Sequence, residues 1–254
     1  MADSAVDGIS GALLSARREA RPLTAFPGDL PADANAAYAI QHRSIEHWPE
    51  LLAGWKVGGV PEPQRERFGG RWLTGPIFAP NVVVADGKSP VDMPVYVDGF
   101  AAVEAEYVYR LGATPEEDRL FIGIEIASSP MPMINDIGPA AVIPDFGNNG
   151  GLLVGPEIED WRSREVDAVE VITTIDGIEI GRACANPAET GHRGALAFWR
   201  DHASRYGMDA SEGLYISSGA VTGVHAAPVG TLGVADFGVF GSVAVRLIPR
   251  QPLG

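Results

Sequence analysis

The chain has one cysteine, Cys184, in 254 residues, which excludes an internal disulfide and a zinc site built on cysteine. The thiol itself reads as a small buried apolar side chain rather than a catalytic nucleophile. Positive charge is scarce as well. Nineteen Lys and Arg stand against 33 Asp and Glu, a formal charge of −14, and no basic run offers a footprint for a phosphate backbone. Nucleic acid is not an expected partner. No apolar stretch approaches the roughly 18–20 residues that cross a bilayer, so no membrane association is expected either. The N-terminal segment has no basic region followed by a long apolar run, and the expected location is the cytoplasm. Ser217-Ser218-Gly219 lacks the Gly-x-Ser-x-Gly pattern of a nucleophile elbow, which argues against a serine hydrolase.

What is present is 46% apolar residues, enough for a real core, with a change of character near residue 50. Before it, two helices are expected. One carries Ile9, Leu13 and Leu14 on a single face and ends at Arg17-Arg18; the second is capped by Asp33 and runs through Tyr38, Ile40, Gln41 and Ile45. After it, short β-rich runs alternate with Gly/Pro turns. WKVGGV, NVVVADG, VYVDGFAAVEAEYVYRLG, AAVIPDF, GGLLVG, LYISSGAV and SVAVRLI all read as strands. VEVITTI and IEIGRA flank Asp176-Gly177, a hairpin signal. A single later helix spans Arg193 to Arg205, with Ala195, Trp199, His202 and Tyr206 on one face and Gly207 as its cap. The expected class is α+β: a helical N-terminal region over 1–50, then a mixed β-roll or barrel-like domain over 51–254.

The chemistry concentrates in acidic residues. Glu104 and Glu106, in Ala102-Val103-Glu104-Ala105-Glu106-Tyr107, share one face of a strand, because alternate side chains point the same way with a repeat of roughly 6.5–7 Å. Side by side they raise each other's pKa unless a cation lies between them, and hard divalent ions suit such oxygen ligands. A solvent-facing edge would explain the pair equally well. Glu125 is embedded in Phe121-Ile122-Gly123-Ile124-Glu125-Ile126, where an ionised carboxylate needs a metal or a partner cation such as Arg110 or Lys56. Lys56 lies among glycines and apolar residues, either snorkelling to solvent or facing a substrate, where a pKa lowered by burial would let it shuttle a proton. Asp145, in Pro144-Asp145-Phe146-Gly147-Asn148-Asn149-Gly150-Gly151, belongs to a loop that reads as a surface turn or as a substrate contact. His192 reads as a capping or surface residue, and His42, His47 and His202 as helix-surface residues.

Taken in order, Ala37-Tyr38-Ala39-Ile40-Gln41, Gly54-Trp55-Lys56-Val57-Gly58, Glu104-Ala105-Glu106-Tyr107-Val108-Tyr109-Arg110-Leu111-Gly112, Ile124-Glu125-Ile126 and Ile216-Ser217-Ser218-Gly219-Ala220 to Ala235-Asp236-Phe237-Gly238 resemble the fumarylacetoacetate hydrolase superfamily. The nearest branch is that of the 2-keto-4-pentenoate hydratases and 4-oxalocrotonate decarboxylases. The resemblance implies a β-roll that holds Mg2+ or Mn2+ through Glu104, Glu106 and Glu125. It also implies that Lys56 faces the substrate, that Ser218 and Gly219 line the same pocket, and that the chain forms a homo-oligomer. The implied activity is that of a hydro-lyase in aromatic catabolism, hydrating a 2-keto-4-pentenoate-type substrate to a 4-hydroxy-2-oxo acid. Decarboxylation of a 2-oxo acid, or hydrolysis of an acylpyruvate-type C–C bond, are the alternatives within the superfamily. A metal-free binding protein that keeps the fold is the alternative outside it. The chain departs from the family pattern at Val60-Pro61, where a Thr or Ser is usual, and at Ser128-Ser129-Pro130, where Asp-Ser-Arg is frequent.

Overall fold

The computed structural model describes residues 2–185 and 190–253. Helix α1 (Asp3–Arg18) buries Val6, Ile9, Leu13 and Leu14 at helical spacing, and α2 (Ala34–Glu46) begins where the Asp33 side chain accepts the Ala36 N–H at 2.9 Å. The two helices pack on each other and on two short helices, α3 (Ile134–Ile137) and α4 (Pro139–Val142), in a core that includes Tyr38, Ile40, Phe68 and Leu73.

Thirteen strands follow among the described residues: β1 (Leu52–Gly59), β2 (Trp72–Phe78), β3 (Val82–Val84), β4 (Val91–Val95), β5 (Phe100–Arg110), β6 (Arg119–Ser129), β7 (Asn149–Glu157), β8 (Glu170–Ile175), β9 (Ile178–Cys184), β10 (Tyr215–Ser217), β11 (His225–Ala226), β12 (Leu232–Asp236) and β13 (Ser242–Pro249). They form two mixed sheets. The first runs β2-β1-β10-β5-β6-β7-β3, with β11 also on β5; the second runs β4-β13-β12-β8-β9. The β1–β10, β3–β7 and β4–β13 pairs are parallel and the other pairs antiparallel. The first sheet curls until β2 approaches β7. This is the expected α+β architecture, with a helical N-terminal region ahead of mixed, curled sheets.

Alternation along the two longest strands positions the site. Val103, Ala105, Tyr107 and Tyr109 of β5, with Leu120, Ile122, Ile124 and Ile126 of β6, join the main core shared with the second sheet. The opposite faces turn into the curl, where Val108, Phe121, Ile77, Leu152 and Val154 make a smaller apolar cluster. Glu104, Glu106 and Glu125 lie on these inward faces. Both sides of β5 and β6 are therefore covered, which is why their composition lacks the polar alternation of a half-exposed strand.

Several elements differ from their sequence reading. VYVDGFAAVEAEYVYRLG opens on Val95, the last residue of β4, and becomes a strand only at β5, because Asp98 adopts φ 58° in a turn between the two. AAVIPDF is α4 and a buried turn, begun by Pro139 after Gly138 at φ 83°. β2, β6, β11, β12 and, apart from Val95, β4 lie outside the runs that read as strands. Helix α5 (His192–Tyr206) ends at Gly207 with φ 62°, and Asp176 and Gly177 both take positive φ in the β8–β9 hairpin, as expected. Cys184 is exposed rather than buried, because it ends β9, an edge strand of the second sheet. No helix among the described residues is long and apolar enough to cross a membrane.

Candidate metal centre

β5 and β6 pair in a register that sets Glu104 opposite Glu125 and Glu106 opposite Gly123. One carboxylate oxygen from each of Glu104, Glu106 and Glu125 lies within 4.8 Å of the others, and all three side chains are buried. Lys56 reaches in from β1, its Nζ 3.0 Å from Glu125 Oε1, and it is buried too. Both partner readings of Glu125 therefore hold together: it pairs with Lys56 and it belongs to an acidic trio.

The charges do not balance. Among the described residues three carboxylates face one ammonium, so with all three ionised two negative charges go uncompensated in a buried site. Glu106 Oε2 accepts from Ser217 Oγ and, at 2.9 Å, from the Gly219 N–H, while Glu106 Oε1 has no partner. Glu125 Oε1 accepts from Asn149 Nδ2 at 2.9 Å, while Glu125 Oε2 has none. Buried oxygens are rarely left unpaired. Two orphaned oxygens and a residual charge of two fit a divalent cation bound by oxygen ligands. Titration reflects the same crowding. Burial pushes Glu104 up to about 7, with Lys56 opposing and Glu125 adding, and Glu106 is raised well above the carboxylate range by burial, Glu125 and Glu104. Burial opposes the charge on Lys56, but Glu125, Glu104 and Glu106 together outweigh it and hold the ammonium protonated. The lowered pKa considered for Lys56 is not what its surroundings produce.

Glu104 opens onto a cleft with two lobes that share Gly58, Gly59 and Val224. One lobe, about 220 Å³, is bounded by Lys56, Leu73, Asn135, Pro139, Val142 and Asn148. The other, about 340 Å³, includes Trp72, Thr190, His192, Ser218 and Gly219. Larger depressions elsewhere, such as the 470 Å³ groove between α1 and α2, lie on open surface and hold no buried charge cluster.

The remaining expected residues fall as follows. Gly219, at φ 95°, turns its N–H to Glu106, and Ser218 Oγ donates to the Tyr107 carbonyl at 2.6 Å; both line the second lobe. The strand alternation that pairs Tyr215 with Ser217 makes Ser217, not Ser218, the hydroxyl that meets the trio. Asp145 does not border the cleft. It is buried, 2.5 Å from Arg17 Nε, and accepts Ser129 Oγ at 2.6 Å. The loop that holds it is no surface turn. Phe146, Gly147 and Asn148 do take positive φ, but inside the molecule, where the Phe146 carbonyl lies so near β2 that a Cβ on Gly75 would come within 2.3 Å of it. Asn148 and Asn149 are the residues the sequence reading passed over. Asn148 Oδ1 accepts from Lys56 Nζ at 3.2 Å, and Asn148 Nδ2 donates to Asn135 at 3.0 Å. Two adjacent carboxamides in an otherwise Gly-rich stretch are the available signal.

His192 is no surface cap. It is buried at the start of α5, with Nδ1 2.6 Å from the Tyr109 hydroxyl and Nε2 2.8 Å from Asp167, and burial lowers it to about 4 against the pull of Asp167. His202 is buried between Tyr38 and Tyr206, with ring centroids at 4.8 and 4.5 Å. His42 is half-buried beside them, and His47 is exposed.

No protein-family model matches the chain, and no curated protein matches it by sequence. Solved structures do match. 4-Oxalocrotonate decarboxylase from Pseudomonas putida G7, complexed with calcium and acetate, superposes with a TM-score of 0.78 at 16% identity, over 98% of this chain and 99% of that one. The same enzyme complexed with magnesium and adipate gives 0.76. Fumarylpyruvate hydrolase from Pseudomonas aeruginosa, in complex with Mn2+ and pyruvate, gives 0.55 at 15% identity over 80% of this chain and 94% of that one. The chain shares the fold of these enzymes, and that is the fold the motif resemblance implies.

Proposed function

We propose that the chain is a metal-dependent lyase of small unsaturated 2-oxo acids, with Glu104, Glu106 and Glu125 as ligands to Mg2+ or Mn2+. The observation that carries this reading is the buried trio, with two unpartnered oxygens and only Lys56 to offset it. The magnesium and manganese bound in the fold relatives support it. A divalent cation held by these three carboxylates would supply Lewis-acid stabilisation of negative charge on a 2-oxo acid.

The chain's own groups do the rest. Lys56 Nζ, held between Glu125 and Asn148 on the cleft wall, is a permanently charged donor that orients an oxo or carboxylate oxygen. Gly219 and Ser217 fix one oxygen of Glu106, so that its other oxygen keeps a constant direction. Leu73, Pro139 and Val142 line the smaller lobe with apolar surface and limit water there. Hydration of a 2-keto-4-pentenoate-type acid to a 4-hydroxy-2-oxo acid is the reaction we favour. Apart from Lys56, which is paired, no described residue bordering either lobe is cationic, so a substrate with a single carboxylate suits the cleft. Decarboxylation is the second reading, favoured by the end-to-end match to a decarboxylase. A homo-oligomeric, cytoplasmic enzyme accords with both.

The test is incubation of the Mg2+-loaded protein with 2-hydroxypenta-2,4-dienoate and, separately, 4-oxalocrotonate, with product identification by mass spectrometry. A 4-hydroxy-2-oxo acid is expected from the first. Release of carbon dioxide from the second, without hydration of the first, selects the decarboxylase. Inertness of the metal-loaded protein toward both removes the lyase.

A further inference from the structure

Between Glu125 and the end of β6 the ladder to β7 is interrupted. Ile126 pairs with Gly151 but Ala127 pairs with Asn149, so Gly150 is an extra residue in a β-bulge. Bulges free backbone groups and re-aim side chains. Here the bulge swings the Asn149 carboxamide onto Glu125 Oε1 at 2.9 Å and exposes the carbonyls around it to other donors.

One guanidinium collects most of them. Arg17, in the last turn of α1, enters the interior with 5% of its side chain exposed. Its Nη1 donates to the Asn149 carbonyl at 3.0 Å, its Nη2 to the Asp145 carbonyl at 2.9 Å and more distantly to the Ser128 carbonyl at 3.4 Å, and its Nε to the Asp145 carboxylate. The rings of Tyr96 and Phe146 flank it at 5.6 and 5.0 Å. The contacts span both strands at the bulge and the turn that presents Asn148 to Lys56. Arg250, near the other end of the chain, takes the Gly150 carbonyl at 2.7 Å. Burying a guanidinium is costly, and an apolar residue would fill the same space with no desolvation penalty. What it gives that an apolar residue cannot is directional: a planar fork that fixes several acceptors relative to one another.

We infer that Arg17 is a positioning residue for the metal centre. It locks the bulge so that Asn149 orients Glu125 and Asn148 orients Lys56, and it makes helix α1 part of the site. The inference rests on the metal-centre reading above. Neither Arg17 nor Asp145 touches the trio, so their effect on it passes through the two asparagines.

Binding of Mn2+ to the full chain, followed by the electron paramagnetic resonance signal of the free ion at a temperature where each variant is folded by circular dichroism, separates positioning from simple stabilisation. Arg17→Met and Asn149→Ala are each expected to weaken Mn2+ binding by about tenfold or more, the usual range for groups that orient a ligand. The double variant is expected to lose less than the sum of the two single losses. An Arg17→Met protein that melts at a lower temperature yet binds Mn2+ as tightly as the parent overturns the inference. So do losses that simply add. Should Arg17→Met fail to fold, Asp145→Asn is read in its place: a weaker loss in the same direction supports the role, and unchanged affinity overturns it. If the unaltered chain binds no Mn2+, the metal centre itself is wrong, an outcome distinct from unchanged affinity in the variants.

Discussion

Glu106 keeps one oxygen bonded to Ser217 and Gly219 and leaves the other without a partner, so its replacement by Gln removes a charge and little packing. Glu106→Gln is expected to abolish Mg2+ binding measured by calorimetry, and with it turnover, while leaving the circular dichroism spectrum unchanged. Full activity of a metal-free Glu106→Gln protein would contradict the assignment. Lys56→Met is a different case. It removes the donor on the cleft wall without removing a ligand, so metal should be retained while kcat falls by about 10²-fold or more, the usual cost of losing one donor aimed at developing charge. Unchanged kcat removes Lys56 from the mechanism. Proton competition has a defined sign. Glu104 is lifted to about 7 and Glu106 is raised well above the carboxylate range, both chiefly by burial, so the metal must displace protons from the trio as pH falls. Mg2+ affinity is expected to rise with pH through about 7, and a flat profile between pH 5 and 8 counts against these ligands.

Helix α5 is the clearest case in which an element's packing, rather than its sequence, sets a property. Its two inward histidines, His192 and His202, are both lowered to about 4, in each case chiefly by burial. In the unfolded chain they take up protons near pH 6.5. Between those values the unfolded state binds more protons than the folded one, so stability rises with pH across roughly 4 to 6.5 and falls as acid is added. Urea midpoints measured at pH 4.5 and 7 should show this, and His202→Phe, which keeps the ring between Tyr38 and Tyr206, should reduce the difference. Trp199, on the same helix, is fully buried in the main core, and Trp199→Ala is expected to cost about 3–5 kcal/mol.

For the whole molecule the relevant quantity is linkage. The formal charge is −14, and the uncompensated acidic trio is the part of it that burial makes costly. A cation that binds only the folded chain stabilises it by about 2.7 kcal/mol at a concentration 100 times its Kd. For a chain of this size that corresponds to a rise in Tm of roughly 5–10 °C. Saturating Mg2+ or Mn2+ should raise Tm by this order, and EDTA should reverse it. The curled sheet transmits that stabilisation widely, because the ligands lie on β5 and β6, the two strands at its centre.

Much of this arrangement was legible beforehand because it is local. Strand alternation puts Glu104 and Glu106 on one face whatever surrounds them, Asp33 caps α2 through its own side chain, and Asp176-Gly177 favours a tight hairpin because both residues tolerate positive φ. A charge at Glu125 within an apolar run demands a partner in any fold, so the need for compensation could be read but not its source. The rest depended on which segments meet. Glu104 faces Glu125 only through the β5–β6 register, and Asn149 reaches Glu125 only because a bulge shifts β7 by one residue. Arg17, to all appearance the end of a surface helix, is buried 128 residues away along the chain, against Asp145. Contacts at such separation are decided by the packing of whole layers, and no neighbouring residue in the sequence records them.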